Sequence, residues 1–245
     1  MGSIMNSATY VALSAQSALQ RQMAVTANNV ANASTPGYKA QNIMFAEYLS
    51  GNQASEQAPT SFVRDLATVR NETQGSLSWT QNSLDLALQG SGYFKVDTPN
   101  GPRYTRNGQF QIDTQGQVVT AESYPVLDQG DRPIVVPPGA GSIEIAADGS
   151  VTTQRGPLGR FGVVNFANPA DLTPSSAGLF VTEANPTPAT KTTVVQGAIE
   201  TSNVNPIVEM TRLMDVSRNY TTAQNLIDSE DQRMRTAIDQ LGKVA

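Results

Sequence analysis

Cysteine and histidine are both missing from this sequence. Their absence excludes a thiol nucleophile, an imidazole base, zinc sites built on sulfur or imidazole, and every disulfide. It leaves the compartment open, because a chain without cysteine suits oxidising and reducing surroundings alike. Charge is also scarce. Only 15% of residues are Asp, Glu, Lys or Arg, against about 25% in an average soluble domain. Ser, Thr, Asn, Gln, Gly and Ala take their place, and such uncharged polar surfaces suit close lateral packing because few charges need desolvating. The net charge of −5 comes without a basic patch, so neither nucleic acid nor an anionic membrane is expected as a partner. No run of 18 apolar residues occurs, and no membrane insertion is expected. The opening MGSIMNSATYVALSAQ lacks a basic stretch followed by an apolar one, so no cleavable signal is expected. Read alone, that suggests a cytoplasmic protein, unless export uses an uncleaved, unfolded N-terminus.

Residues 3–32 contain neither Gly nor Pro, and Arg21 is the sole charged side chain in residues 1–38. Ala8, Val11, Ala15, Leu19, Met23, Thr26 and Val30 recur every three or four positions, which predicts a helix with one mildly apolar face. A helix of about thirty residues is about 45 Å long. An ordinary surface helix carries several charges on its solvent side, so this one is expected to be covered by partners that accept polar groups. It ends in ANNVANASTPGYKA. Asn28 and Asn32 share a face, Pro36 turns Thr35 away from helical angles, and Pro36-Gly37 suits a type II turn. Two readings of these asparagines stay open: a helix fraying into a polar loop, or amides that bond to neighbouring subunits.

At the other end, Pro206 suits a first helical turn. Met210, Leu213, Ser217, Tyr220, Gln224, Ile227, Asp231, Met234, Ile238 and Leu241 then follow at alternating three-four spacing, the pattern of a coiled-coil seam. Between the ends, about 76–200, short β-branched and aromatic runs (Leu84–Leu88, Tyr93–Val96, Phe110–Ile112, Val118-Val119, Ile134–Val136, Ile143–Ile145, Val163–Phe166) are separated by Asn100-Gly101, Asn107-Gly108 and Asp148-Gly149, pairs favoured in tight hairpins. Residues 50–62 and 184–190 read as loop or linker.

The expected fold is α+β, with paired N- and C-terminal coiled-coil helices and an inserted all-β domain. Its parts are an N-terminal helix of a helical core (1–34), an extended linker or β segment (35–75), a β-rich outer domain (76–200) and a C-terminal helix of the helical core (201–245). No catalytic, cofactor or metal site is expected. Gly90-Ser91-Gly92 lacks the third glycine of a dinucleotide fingerprint. The carboxylates Asp128 and Asp131, and Asp228, Glu230 and Asp231, read as solvated faces rather than a pair held in a cleft. The Asn-x-Ser/Thr triplets at Asn32, Asn71 and Asn219 are ordinary chance in a chain this rich in Asn, Ser and Thr.

Three ordered stretches resemble the flagellar rod and hook family of axial proteins: NNVANASTPGYKA (28–40), LDLALQGSGYFKV with YTRNGQFQID (84–96 and 104–113), and GAIETSNVNPIVEMTRLMDVSRNYTTAQNLI (197–227). Within that family the chain is most similar to the proximal-rod branch, with the distal-rod branch as the alternative. The resemblance implies a structural subunit, not an enzyme, in the basal-body rod that crosses the periplasm. It implies helical assembly with other rod subunits, torque transmission, and delivery by the flagellar type III export apparatus. The implied assembly surfaces are Tyr10, Leu13, Leu19, Met23, Asn28, Asn29, Val30, Asn32, Thr35, Pro36, Gly37 and Tyr38, with Asn203, Asn205, Met210, Leu213, Tyr220, Gln224, Ile227, Met234, Ile238 and Leu241. On the residues alone, two rivals stand beside it: a free-standing surface β protein on a coiled-coil stalk, and a carboxylate enzyme.

Overall fold

A computed structural model describes the backbone of residues 2–50 and 60–242, and side-chain surroundings over 12–44, 67–237 and 239–240. The architecture is α+β, with a helix at each end and a β-rich body inserted between them. The chain divides into two compact units. One holds residues 1–31, 41–70 and 205–245, and the other 32–40 and 71–204.

In the helical unit, α1 spans Gly2–Ala31. It is continuous because Ala, Leu, Met and Gln favour the helix and no Pro interrupts it. Two long antiparallel strands follow, β1 (Gln41–Ser50) and β2 (Thr60–Arg70), with a bulge between Met44 and Phe45. The linker reading of 50–62 therefore fails at Ser50 and at Thr60–Phe62, which belong to the paired strands; residues 51–59 lie outside the described residues. The strands form because NIMF and SFVRDLATV are rich in β-branched and aromatic types. The second helix, α2, spans Pro206–Gly242. Asn205 caps it, its side-chain oxygen accepting from the backbone N–H of Ile207 (3.2 Å) and Val208 (3.3 Å), and Pro206 fills the first helical position, where no N–H is needed.

The helices lie side by side in opposite directions: Gln16 bonds Gln224 (3.3 Å) and Asn29 bonds Glu209 (3.1 Å). On α1 the covered positions include Ala12, Gln16, Leu19, Met23, Thr26 and Val30, while Leu13, Ser17, Gln20, Ala24, Ala27 and Ala31 are exposed. On α2 the covered positions are Glu209, Leu213, Val216, Tyr220, Ala223, Ile227, Glu230 and Met234. The expected seam shares Leu213, Tyr220, Ile227 and Met234 with this set, but Met210, Ser217, Gln224 and Asp231 are exposed. Their inward counterparts stand one residue earlier, where Val216 and Ala223 allow close approach. The polar positions Ser217 and Asp231 thus stand outside this contact, and Gln224 meets it at its edge through Gln16.

The β body is antiparallel. Its largest sheet has the strand order Thr173–Pro174, Leu179–Val181, Gly101–Thr105, Tyr93–Thr98, Val163–Asn165, Thr187–Pro188. The strand Tyr93–Thr98 is buried on both faces. Phe94 and Val96 enter a core with Leu86, Leu88, Phe110, Val126, Ile134 and Phe161, while Tyr93 joins Tyr104, Phe166, Leu172 and Phe180. Edge-to-face rings fix both clusters, Phe94–Phe110 at 5.1 Å and Tyr104–Phe166 at 4.8 Å between centroids. Ile134–Val136, expected as a strand, makes only isolated bridges, because Pro133, Pro137 and Pro138 cannot donate to a ladder. Thr187-Pro188, inside the expected 184–190 loop, pairs with Val164-Asn165. Asn107-Gly108 closes no tight hairpin; Gly108 lies against Leu86, where an added Cβ would sit 1.7 Å from the Leu86 carbonyl oxygen.

Candidate functional site

Within the β body, the last residues of the first signature meet those near the start of the last one. The segments 37–40, 71–75 and 200–203 run together. Gly37 N–H donates to Glu200 O (2.8 Å), Asn71 N–H to Ala40 O (2.8 Å) and Asn203 N–H to Tyr38 O (3.3 Å). The Asn203 side chain joins all three, accepting from Ala40 N–H (2.7 Å) and donating to Asn71 O and Thr73 O (both 2.9 Å). Gly37 has φ +71°, and a Cβ there would lie 2.6 Å from the Arg106 carbonyl carbon. Glycine is needed at this position for both reasons.

Beneath this seam sits a buried ionic cluster. The Glu200 carboxylate accepts from Lys39 Nζ (2.5 Å) and Gly75 N–H (3.0 Å) on one oxygen and from Arg106 Nε (2.8 Å) on the other. The Glu200 and Lys39 side chains are 1% and 2% exposed, that of Arg106 5%, so these charges depend on each other for stabilisation. Lys39 also donates to Thr73 O (2.8 Å), and Arg106 to Gly92 O (2.5 Å) and Gly90 O (2.6 Å). Burial holds the Lys39 ammonium below the ordinary lysine range, against the opposing pull of Glu200.

The helical unit has a polar knot of its own. Asn29 is 1% exposed. Its amide grips the backbone of Gln41 from both sides, donating to Gln41 O (2.9 Å) and accepting from Gln41 N–H (2.9 Å), which imitates one rung of a strand ladder at the start of β1. It also donates to buried Glu209 (3.1 Å), which accepts from Arg212 (3.1 Å), and Arg212 reaches Asn42 (3.4 Å).

The expected site residues therefore separate into groups. Gly37, Tyr38 and Asn203 join the junction in the β body, and Asn205 is a helix cap. Asn29 is satisfied inside its own chain, and Asn32 accepts from the Thr35 hydroxyl (3.2 Å). Leu19, Met23, Val30, Leu213, Tyr220, Ile227 and Met234 lie on the covered sides of the helices, while Leu13, Asn28, Met210 and Gln224 are exposed. Thr35 and Pro36 are half-buried in the turn after α1. The side chains of Tyr10, Ile238 and Leu241 lie outside the described residues. Sequence reasoning missed Lys39, Arg106, Glu200 and Glu209. Lys39 is the one charge in its signature, a signal that was available; its pairing with Glu200 across 161 positions was not.

Among the described residues no group of His, Cys, Asp and Glu is arranged to hold a metal ion. No helix of the described residues is long and apolar enough to cross a membrane.

Three family models match the chain in order: "Flagella basal body rod protein" over residues 10–39, "Flagellar hook protein FlgE/F/G D1 domain" over 87–153, and "Flagellar basal body rod FlgEFG protein C-terminal" over 195–240. The chain is similar to the flagellar basal-body rod protein FlgF of Caulobacter vibrioides, at 35% identity over 98% of this chain and 100% of that one. It is similar to FlgF of Mesorhizobium japonicum, at 37% over 97% and 99%. The flagellar basal-body rod protein FlgG of Buchnera aphidicola is 33% identical over 89% of this chain and 93% of its own.

Proposed function

The chain belongs to the flagellar basal-body rod protein family and is a structural subunit of that rod, and from this premise we propose that it assembles through the open faces of its two terminal helices. One observation carries the proposal: apart from Arg21 the outward side of α1 is uncharged where a solvated surface would be charged, and the first turns of α2 leave large apolar side chains exposed. On α1 this side bears Leu13, Ser17, Gln20, Ala24, Ala27 and Ala31. On α2, Ile207 is 76% exposed, Met210 48% and Met214 59%. Small side chains let neighbouring helices approach, and the apolar ones supply burial at about 25 cal/mol per Å² before ordering costs.

The remaining parts follow. α1 and α2 form a coiled-coil core with the equivalent helices of neighbouring copies, and 76–200 forms an outer domain with a second layer of contacts. Torque passes through these contacts as resistance to shear. The neighbours are further copies and the related rod subunits. Delivery is by the flagellar type III export apparatus, as an unfolded chain. The proximal-rod position is favoured because the FlgF relatives cover nearly the whole chain, while the similar coverage of FlgG supports the distal rod as the second reading. The test is Met214→Glu with Ala24→Arg, examined in a strain lacking the native subunit. The purified variant should keep its circular dichroism and lose incorporation into basal bodies. Normal incorporation would overturn the proposal.

A further inference from the structure

Two Asn-Gly pairs lie in the β body, and their surroundings differ sharply. We propose that Asn100 is a site of spontaneous deamidation to aspartate and isoaspartate, and that Asn107 is protected from the same reaction.

Asn100 sits with Pro99 in a two-residue loop, flanked by the paired residues Thr98 and Gly101. It is exposed, and its amide has no hydrogen-bond partner among the described residues. Gly101 has φ +92°, and a Cβ there would meet nothing within 4 Å. No neighbour crowds its Cα on that side. The reaction needs only solvent. Gly101 N gives its proton to a solvent base and bonds to Asn100 Cγ; the amide nitrogen takes a proton from solvent, its bond to Cγ breaks and ammonia leaves, giving a succinimide. Water then opens the ring at either carbonyl, to aspartate or to isoaspartate.

Asn107 is held differently. Its side-chain oxygen accepts from Gln109 N–H (3.0 Å), and its own N–H donates to Thr105 Oγ1 (3.0 Å). Gly108 is pressed on Leu86, whose N–H donates to Gly108 O (2.9 Å). Swinging Asn107 Cγ over the Gly108 nitrogen would break these bonds. The Asp-Gly pair, Asp148-Gly149, is guarded too. Gly149 N–H donates to Ala146 O (2.8 Å), and hydrogen bonds from Ser150 hold the Asp148 carboxyl below the usual carboxylate range. Ionised, it is a poor electrophile. Isoaspartate at Asn100 would add a backbone methylene to a two-residue loop and a negative charge at its tip.

The test incubates the intact chain in mildly alkaline buffer, folded and in urea, and maps isoaspartate by peptide analysis with isoaspartyl methyltransferase labelling. In the folded chain Asn100 should convert several-fold faster than Asn107, and in urea the two should convert at comparable rates. Asn100→Gln should remove most of the folded-state label. The proposal is overturned if folded Asn107 keeps pace with Asn100, if folded Asn100 stays intact while the unfolded chain converts, or if the label survives Asn100→Gln.

Discussion

In the β body, Leu86, Phe94, Val96 and Val126 are wholly buried, and aromatic pairs lock two clusters on either side of one strand. In the helical unit the balance is reversed. Thr26, Asn29 and Glu209 are buried, while Ile207, Val208, Met210, Met214 and Leu226 lie about half exposed or more. The body has the inventory of a domain that stabilises itself. The helices spend polar groups on fixing geometry within the chain and leave apolar surface open, as expected of a unit whose burial is completed between subunits. If the helices assemble as proposed, the difference puts stability inside the chain for one unit and between chains for the other.

The largest expected effect comes from the buried cluster of the body. Glu200→Ala leaves Lys39 and Arg106 as uncompensated buried cations and should cost about 3–5 kcal/mol, read as a lower urea midpoint of the β circular-dichroism signal. Asp131→Ala removes an ion pair of similar length, Lys95–Asp131 at 2.6 Å, but the Asp131 side chain is 64% exposed. It should cost less than about 1 kcal/mol. Equal losses would mean that burial does not set the worth of these pairs.

Asn29→Ala comes next. It strips Gln41 of both backbone partners and Glu209 of one donor, and should destabilise the helical unit by about 1–3 kcal/mol while leaving the urea midpoint of the body unchanged. A loss shared by both units would break the comparison. Asn205→Ala removes the cap of α2 and should cost about 1 kcal/mol, measured as lost helical ellipticity on heating.

The smallest effect is a pH dependence. The Lys39 ammonium is held below its ordinary value of 10.5 by burial. As pH rises toward 10.5 the folded chain releases the proton first, the unfolded chain binds more protons, and stability rises. Burial raises Tyr104 from 10.0, which acts in the opposite direction at higher pH, so the clean observable is the wild-type stability minus that of Lys39→Gln. That difference should grow in favour of the wild type as the solution becomes alkaline; a flat or falling difference would show that Glu200, rather than burial, governs the lysine.

Much of this was legible in the sequence for identifiable reasons. Both helices announce themselves by unbroken three-four periodicity, and the start of α2 by Pro206. The phase of the α2 contact was not legible, because Leu213, Tyr220, Ile227 and Met234 belong to both candidate seams and only the neighbouring helix decides between 209-216-223 and 210-217-224. Residues 35–75 were read only as extended linker or β, because the Gly- and Pro-bearing stretch between β1 and β2 obscures where each strand begins and ends. The Lys39–Glu200–Arg106 cluster was hidden because its members come from three distant segments, and no local pattern pairs them. Asn29 was singled out with its neighbours, but a sequence cannot say that its amide would take the place of a backbone partner for Gln41.

The most direct measurement is amide hydrogen exchange on the dilute, unassembled chain, followed by the same measurement after assembly. Slow exchange at Phe94, Val96 and Val126, with much faster exchange along α1 and α2 that becomes slow only on assembly, is the predicted result. Helices as protected as the body in the dilute chain would contradict the claim that their stability is completed between subunits.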